Sequence, residues 1–375
     1  MAAETRPMML AAVLEKFNES YVIKEVPRPP APEGQDILVK VLAASYCHTD
    51  AVFCSGGMSQ DLPRIGCHEF AGQIEALGPL VSSTWELSIG TMVGVPGRAY
   101  HPCGECSECM HDTRDSVGYS PYCTYAKNLG LTADGGFQEF CLVDSRQVAP
   151  IPAGLTAVET APLMCAGLTI WAALQHDTIK DARSAAIMGA AGGLGHLGVQ
   201  FAAKLGKRLL AVDVGDVAIR FLHTIVDSMG DAGKRVSMAD ASRTKADDGL
   251  ALSSKQNANE KPEQEGVDAV IILPEAQAAM DYGLSLLKKH GTAVVVSFPE
   301  SGFNISAKDL VFRDIRIVGS LVGRNFQLRD MLQFASEHGI RAKVKTFPLE
   351  RLNDLVEQYH RGEGGKLVVD MSLNS

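Results

Sequence analysis

The sequence predicts an α/β protein of two domains, one β-rich and one a doubly wound parallel sheet. Three observations carry that prediction. Residues 8–45 and 65–95 read as short alternating strands broken by prolines and glycines, whereas beyond Pro152 strands and helices alternate. A glycine-rich turn, Gly189-Ala190-Ala191-Gly192-Gly193-Leu194-Gly195, follows an apolar run at 185–188 and opens a helix. All nine cysteines, at 47, 54, 67, 103, 106, 109, 123, 141 and 165, lie in the β-rich part and the helix that follows it.

The bulk numbers set bounds. A chain of 375 residues is long enough for two domains of ordinary size. Hydrophobic content of 46% and charged content of 21% suit a globular protein. A net charge of −9 argues against nucleic acid or an anionic membrane as partner. No apolar run reaches the roughly 18–20 residues that span a bilayer. The start, Met1-Ala2-Ala3-Glu4-Thr5-Arg6-Pro7, lacks the build of a signal peptide, so a cytoplasmic location is expected. An odd cysteine count in a reducing compartment argues for metal ligation over disulfides.

The elements follow in order. Residues 37–42 (Ile-Leu-Val-Lys-Val-Leu) alternate as a strand, and 43–46 lead out of it to Cys47-His48-Thr49-Asp50. Pro27, Pro29, Pro30 and Pro32 exclude a helix before it. Residues 72–77 and 92–95 read as further short strands, and 101–125 as a polar, cysteine-rich lobe without a conventional core. Residues 134–140 form a turn entering another strand. Residues 157–174 read as a helix interrupted near Cys165-Ala166-Gly167. Strands are expected at 185–188, 209–212, 267–273 and 293–297, with helices at 194–205 and 276–289. Residues 239–266 are polar and read as a surface loop. A strand at 316–322, helices at 328–338 and 349–361 and a last strand at 367–370 complete the chain, with no internal repeat.

Three groups of residues carry chemistry. Cys47, His68 and Cys165 supply two thiolates and an imidazole, a set that suits zinc and leaves a fourth tetrahedral position open. Such an ion acts as a Lewis acid on a bound oxygen. Asp50 and Glu69 are the carboxylates placed to hold the free nitrogen of His68. Cys67 is expected to face away, as strand neighbours do, and Cys54 and Cys141 to be small packed hydrophobes. The second group is Cys103, Cys106 and Cys109, spaced C-x2-C-x2-C, with Cys123 following after thirteen residues. Four thiolates close a tetrahedron around a structural zinc; an iron–sulfur cluster is the rival with the same ligands. The third group is the glycine-rich turn, where Gly189, Gly192, Gly193, Leu194 and Gly195 let backbone approach a pyrophosphate at a helix start. Asp213 ends the next strand; its carboxylate accepts from ribose hydroxyls and repels a 2′-phosphate, which favours NAD(H) over NADP(H). His196 reads as a surface or phosphate-near residue.

Together these motifs resemble the zinc-dependent medium-chain alcohol dehydrogenases, most closely the yeast type. The likeness runs through Cys47-His48-Thr49-Asp50, Gly66-Cys67-His68-Glu69, residues 161–169 around Cys165, Gly189 to Gly195, residues 317–323 and Gly365-Lys366-Leu367-Val368-Val369-Asp370. The resemblance implies a GroES-like catalytic domain over 1–166 and 321–375 and a Rossmann NAD-binding domain over 167–320. It implies that Thr49 hydrogen-bonds the alcohol oxygen and passes its proton toward the cofactor ribose while hydride moves to the nicotinamide. It also implies that His48 and Lys366 contact the cofactor pyrophosphate and that Ser297 and Val322 line the nicotinamide site. A homodimer or homotetramer paired through the strand around 317–321 is implied as well. Three departures stand out. Val52 occupies the slot of a relay histidine, the Cys109–Cys123 gap is longer than usual, and the tryptophans of a small-alcohol pocket are replaced around Phe53 to Met58 and Gly97 to Tyr100.

The expected function is hydride transfer between NAD(H) and a medium-sized primary or secondary alcohol or aldehyde, in a biosynthetic setting, with two zinc ions per chain. The alternatives are an NAD(P)H-dependent enoyl or quinone reductase of the same superfamily, which would lack the catalytic zinc ligands, and a non-catalytic dinucleotide-binding protein.

Overall fold

A computed structural model describes residues 6–82, 86–111, 120–254, 266–362 and 365–374. The chain divides into two units, Met1–Leu168 with Val322–Ser375, and Thr169–Leu321.

In the first unit, strand Asp36–Tyr46 sits at the centre of a seven-stranded sheet. Ile37, Val39 and Val41 alternate into the core while Lys40 faces water. Along one edge it pairs antiparallel with Glu69–Leu77, which pairs in turn with Met92–Pro96. Its other edge is shared: Phe140–Asp144 covers residues 36–40 and the late strand Lys366–Asp370 covers 43–46. Val344–Phe347 continues the sheet in parallel beyond that late strand. The end of the chain is thus built into the same sheet as its beginning. A smaller sheet, ordered Val22–Pro27, Met8–Leu14, Arg64–Ile65, packs on it. Tyr46, Phe53, Phe70, Ile74 and Phe137 are almost fully buried there, each stabilising the fold by roughly 1.5–3 kcal/mol.

The second unit is a six-stranded sheet whose pairings are all parallel. Its spatial order is Val236–Asp240, Arg208–Asp213, Ser184–Met188, Val267–Ile272, Leu287–Val295, Arg316–Gly319. In chain order that is 3-2-1-4-5-6, the doubly wound arrangement. Ala185-Ala186-Ile187-Met188 and Val270-Ile271-Ile272 are buried, so both strands read as unbroken apolar runs.

Several expected bounds move. The helix placed at 276–289 is Gln277–Leu286, and the chain turns into strand at Leu287, which pairs with Val267 across an irregular register. The segment read as loop, 239–266, contains the end of strand Val236–Asp240 and helix Ala246–Ser254; residues 255–265 lie outside the described residues. Helices Asp216–Ser228 and Ala307–Arg313 and strand Val344–Phe347 are additions to the sequence reading. The strand expected at 316–322 stops at Gly319. The interrupted helix resolves into Ala157–Thr160, a 3-10 turn Ala161–Leu163 containing Pro162, and Ala166–Leu174. No single helix among the described residues is long and apolar enough to cross a membrane.

Candidate active site

Strand Asp36–Tyr46 delivers Cys47 to the start of helix His48–Cys54. Asp50, in the helix's first turn and fully buried, ties the site together. Its Oδ2 accepts the Cys47 amide at 2.9 Å, and its Oδ1 accepts the Cys67 amide at 3.1 Å and meets His68 Nδ1 at 3.3 Å. A carboxylate on Nδ1 leaves the Nε2 lone pair of a neutral imidazole for another partner. His68 Nε2 is buried and has no hydrogen-bond partner among the described residues. The Cys47, His68 and Cys165 donor atoms lie within 4.8 Å of one another, with the two sulfurs 3.9 Å apart. An unsatisfied imidazole nitrogen grouped with two thiols is a donor set that suits a tetrahedral zinc.

The hydrogen bond from Cys165 holds the Cys47 thiol well below its ordinary range against the cost of burial, and Lys366 and His68 add to it. The Cys165 thiol is pushed up by that same bond and by burial. Two buried thiolates so close cannot coexist without a cation between them.

Gly97 closes over His68: its amide donates to the His68 carbonyl at 2.6 Å, and a Cβ there would lie 2.5 Å from the His68 Cβ. Glu69 lies behind the triad, fully buried. It accepts the amide of Ala166, next to Cys165, at 3.3 Å, and pairs with Lys366. Thr49 is half-buried beside Cys47, and His48 is exposed with Nδ1 3.0 Å from the Tyr359 hydroxyl.

The Cys103, Cys106, Cys109 and Cys123 sulfurs also converge within 4.8 Å. Backbone amides point at them, Cys106 to Cys103 Sγ and Cys109 to Cys106 Sγ at 3.4 Å each, and Cys103 to Cys123 Sγ at 3.5 Å. The amides of Glu105 and Cys106 bring the Cys103 thiol down to about 7, while burial pushes Cys109 up to about 12. The lobe is fastened to its own unit by the Arg324 guanidinium, which donates to the Glu108 carbonyl at 3.3 Å.

In the parallel sheet, strand Ser184–Met188 runs into the glycine-rich turn and helix Gly195–Lys204. Gly189 has φ +74°, and a Cβ on Gly195 would lie 2.1 Å from the Gly189 carbonyl oxygen. Gly192 is exposed at the tip, with Gly193 and Leu194 half-buried beside it. Asp213 reaches back to this turn: Oδ2 accepts the Ala191 amide at 2.7 Å and Oδ1 the Val214 amide at 2.8 Å. The helix start and the carboxylate at the next strand end make a cradle that fits a dinucleotide.

Comparison with known proteins follows the same two parts. The alcohol dehydrogenase GroES-like domain matches residues 33–153, and the zinc-binding dehydrogenase domain matches 193–337. An alcohol dehydrogenase from Geobacillus stearothermophilus is 33% identical over 364 residues, covering 96% of this chain and 99% of that one. The chain belongs to the zinc-type medium-chain alcohol dehydrogenase family. Another relative, from Moraxella, is 32% identical over 97% of this chain and all of its own length. The alcohol dehydrogenase of Aeropyrum pernix superposes with a TM-score of 0.77 at 26% identity, covering 96% of this chain and 99% of that one. A cinnamyl alcohol dehydrogenase from Sorghum bicolor shares the fold with a TM-score of 0.79 at 22% identity, covering 98% and 99% of the two chains.

Within this alcohol dehydrogenase fold, several expected placements change. Lys366, expected at the cofactor pyrophosphate, is 5% exposed and turned inward; Nζ donates to the Tyr46 carbonyl at 2.9 Å and pairs with Glu69. Burial pushes the Lys366 ammonium down, but Glu69 and the Cys47 thiolate outweigh it and it stays charged. Of the two carboxylates offered for His68, Asp50 takes the imidazole and Glu69 takes Lys366. Cys67 does face away, but through backbone with φ +78° and not through strand alternation; the strand begins at Glu69. Its sulfur turns to the Ser45 and Glu69 carbonyls at 3.5 and 3.3 Å. His196 is fully buried, Nδ1 against the Gly192 carbonyl at 2.8 Å, so it is no surface residue. Phe53 belongs to the core and cannot line an open pocket. The Ser297 hydroxyl donates to the Pro274 carbonyl at 2.9 Å, and Val322 has φ +44°. Gly97, expected near the substrate pocket, instead packs on His68, and Tyr359 escaped sequence reasoning: it lies 311 residues from His48, and no local pattern connects them.

Proposed function

We propose that the protein is a zinc-dependent, NAD(H)-linked dehydrogenase that interconverts a medium-sized primary or secondary alcohol and its carbonyl compound. The observation that carries this reading is His68 Nε2, buried without a hydrogen-bond partner among the described residues, in a triad whose donor atoms, the Cys47 and Cys165 sulfurs included, lie within 4.8 Å of one another. Zinc there supplies Lewis acidity that brings an alcohol's pKa toward neutrality, and NAD⁺ supplies the hydride acceptor. Cys47, His68 and Cys165 hold the catalytic ion, and Cys103, Cys106, Cys109 and Cys123 hold a structural one. Asp50 fixes the imidazole tautomer and the Cys47 backbone. Thr49 Oγ1 takes the alcohol proton as it gives up its own. Val52, one turn along the same helix, has no proton acceptor, so that proton leaves to the cofactor ribose or to water. In the second unit, Gly189, Gly192, Gly193, Leu194 and Gly195 are assigned to the pyrophosphate, Asp213 to the adenosine ribose and Ser297 to the nicotinamide; in the first unit, His48 and Val322 are each assigned a cofactor-binding role. The intact donor triad supports this reading over a zinc-free reductase or a non-catalytic binder.

We place the enzyme in the cytoplasm, as a homodimer or homotetramer. The subunit contact we assign to strand Arg316–Gly319, which pairs within the chain only with Leu287–Val295 among the described residues. Exposed Val311 and Phe312 stand on the helix just before it. The test joins metal analysis to a panel of alcohols and aldehydes with NADH and NADPH, followed at the nicotinamide absorbance. Near two zinc ions per chain and NADH-linked turnover are expected. One zinc or none, or reduction of an activated double bond, would overturn the reading.

A further inference from the structure

The ends of strands Arg208–Asp213 and Val236–Asp240 lie side by side, with Asp213 opposite Asp240 in register. Three carboxylates gather at this corner. Asp213 holds the glycine-rich turn through Ala191. Asp240 Oδ1 organises the turn around it, accepting the Gly215 amide at 3.2 Å, the Ser242 amide at 2.9 Å and the Ser242 hydroxyl at 2.6 Å. Asp216 opens helix Asp216–Ser228.

Arg243 enters the same corner. Its Nη1 and Nη2 donate to the two oxygens of Asp216 at 2.6 and 3.1 Å, a bidentate grip, while its Nε stands 3.7 Å from Asp240 Oδ2. The Arg243 and Asp216 side chains are 65% and 57% exposed, so the pair is reachable by a ligand. An ion pair so exposed adds little to stability. Arg220, one turn along the helix, also acts on the Asp216 charge.

A guanidinium at the corner formed by Asp240, the register partner of the ribose carboxylate Asp213, is a group that would capture a 2′-phosphate. Here Asp216 closes the fork of the guanidinium, taking one N–H from each terminal nitrogen. We propose that the Asp216–Arg243 pair is a selectivity latch: Asp216 denies Arg243 to a 2′-phosphate, and so makes the site choose the unphosphorylated dinucleotide alongside Asp213. The proposal rests on the nucleotide-site reading given above. Asp240 does not replace Asp216, because it meets only Nε and at longer range.

The test is titration calorimetry of the full-length protein with 5′-AMP and 2′-AMP as separate probes, with NAD⁺ and NADP⁺ alongside. The unaltered protein should favour 5′-AMP and NAD⁺. Asp216→Asn should raise the 2′-AMP to 5′-AMP affinity ratio about tenfold, the size expected when one charge-assisted pair forms. That gain should shrink steeply with added salt and vanish in Asp216→Asn/Arg243→Met. Asp216→Ser, which keeps a polar helix start, should reproduce the gain if the asparagine variant folds poorly. An unchanged ratio in both single variants, or a gain that survives loss of Arg243, overturns the latch while leaving the NAD site standing. Failure of the unaltered protein to bind either dinucleotide removes the nucleotide reading and the latch together.

Discussion

The two cysteine clusters of the first unit differ in which partner does the holding. Around Cys47, His68 and Cys165 the protein holds the ligands. They are fixed by a central strand, a helix start, the buried Asp50 and the Glu69–Lys366 pair. Around Cys103, Cys106, Cys109 and Cys123 there is no strand or helix among the described residues, and an ion would hold the protein. On the proposed function, the same sulfur chemistry would serve reaction in one place and folding in the other. An open coordination corner is useful only where the remaining ligands need no metal to stay in position.

Exchange of one sulfur in each cluster would break that comparison most directly. Cys47→Ser should lower kcat/KM on the order of a thousandfold, because Lewis-acid stabilisation of the reacting oxygen is lost, with the melting temperature moved by only a few degrees. Steady-state kinetics and calorimetry together check it; retained turnover would remove the triad from catalysis. Cys106→Ser should do the opposite. The melting temperature should fall by about 10 °C and proteolysis should begin inside the lobe, while turnover at low temperature falls far less. Equal thermal loss from both variants would erase the distinction.

A finer probe acts on the scaffold of the triad and leaves its ligands in place. Asp50 accepts from two amides and His68 Nδ1 with two oxygens. Asp50→Asn leaves one acceptor oxygen and adds an unwanted donor. Activity and zinc affinity should each drop about 10–100-fold. Zinc competition with a chromophoric chelator measures the affinity; an unaltered zinc affinity would mean that the strand and helix alone position the ligands.

The legibility of these regions in sequence differs for the same physical reason. The four-cysteine lobe is local, so its C-x2-C-x2-C spacing is visible in a single window, as is the apolar run that enters the glycine-rich turn. The triad was legible because each ligand carries its own short motif. Its supports were not. Whether Asp50 or Glu69 meets His68 depends on the positive φ of Cys67, which turns the backbone before the strand starts. The inward turn of Lys366 depends on a strand pairing between residues 43–46 and 367–370. The early end of helix Gln277–Leu286 follows from Leu287 joining the sheet, although Lys288, Lys289, His290 and Gly291 read locally as a helix end. In the last two cases a contact between distant residues decides what the local pattern does not.

The smallest expected effect tests how far this scaffold extends. The Tyr359 ring lies edge-on to Tyr46, 5.1 Å between centroids, and its hydroxyl meets His48 Nδ1 at 3.0 Å. Tyr46 ends the strand that leads directly into Cys47, so one aromatic contact links that strand to the orientation of His48. Tyr359→Phe keeps the ring and deletes only the hydroxyl. With His48 read as a pyrophosphate contact, loss of one neutral hydrogen bond should weaken NADH binding about fivefold, with zinc content and melting temperature preserved. Fluorescence titration of NADH gives the dissociation constant directly. An unaltered constant would show that the helix start alone aims His48, and that the scaffold around the metal ligands stops short of the cofactor-facing side chains.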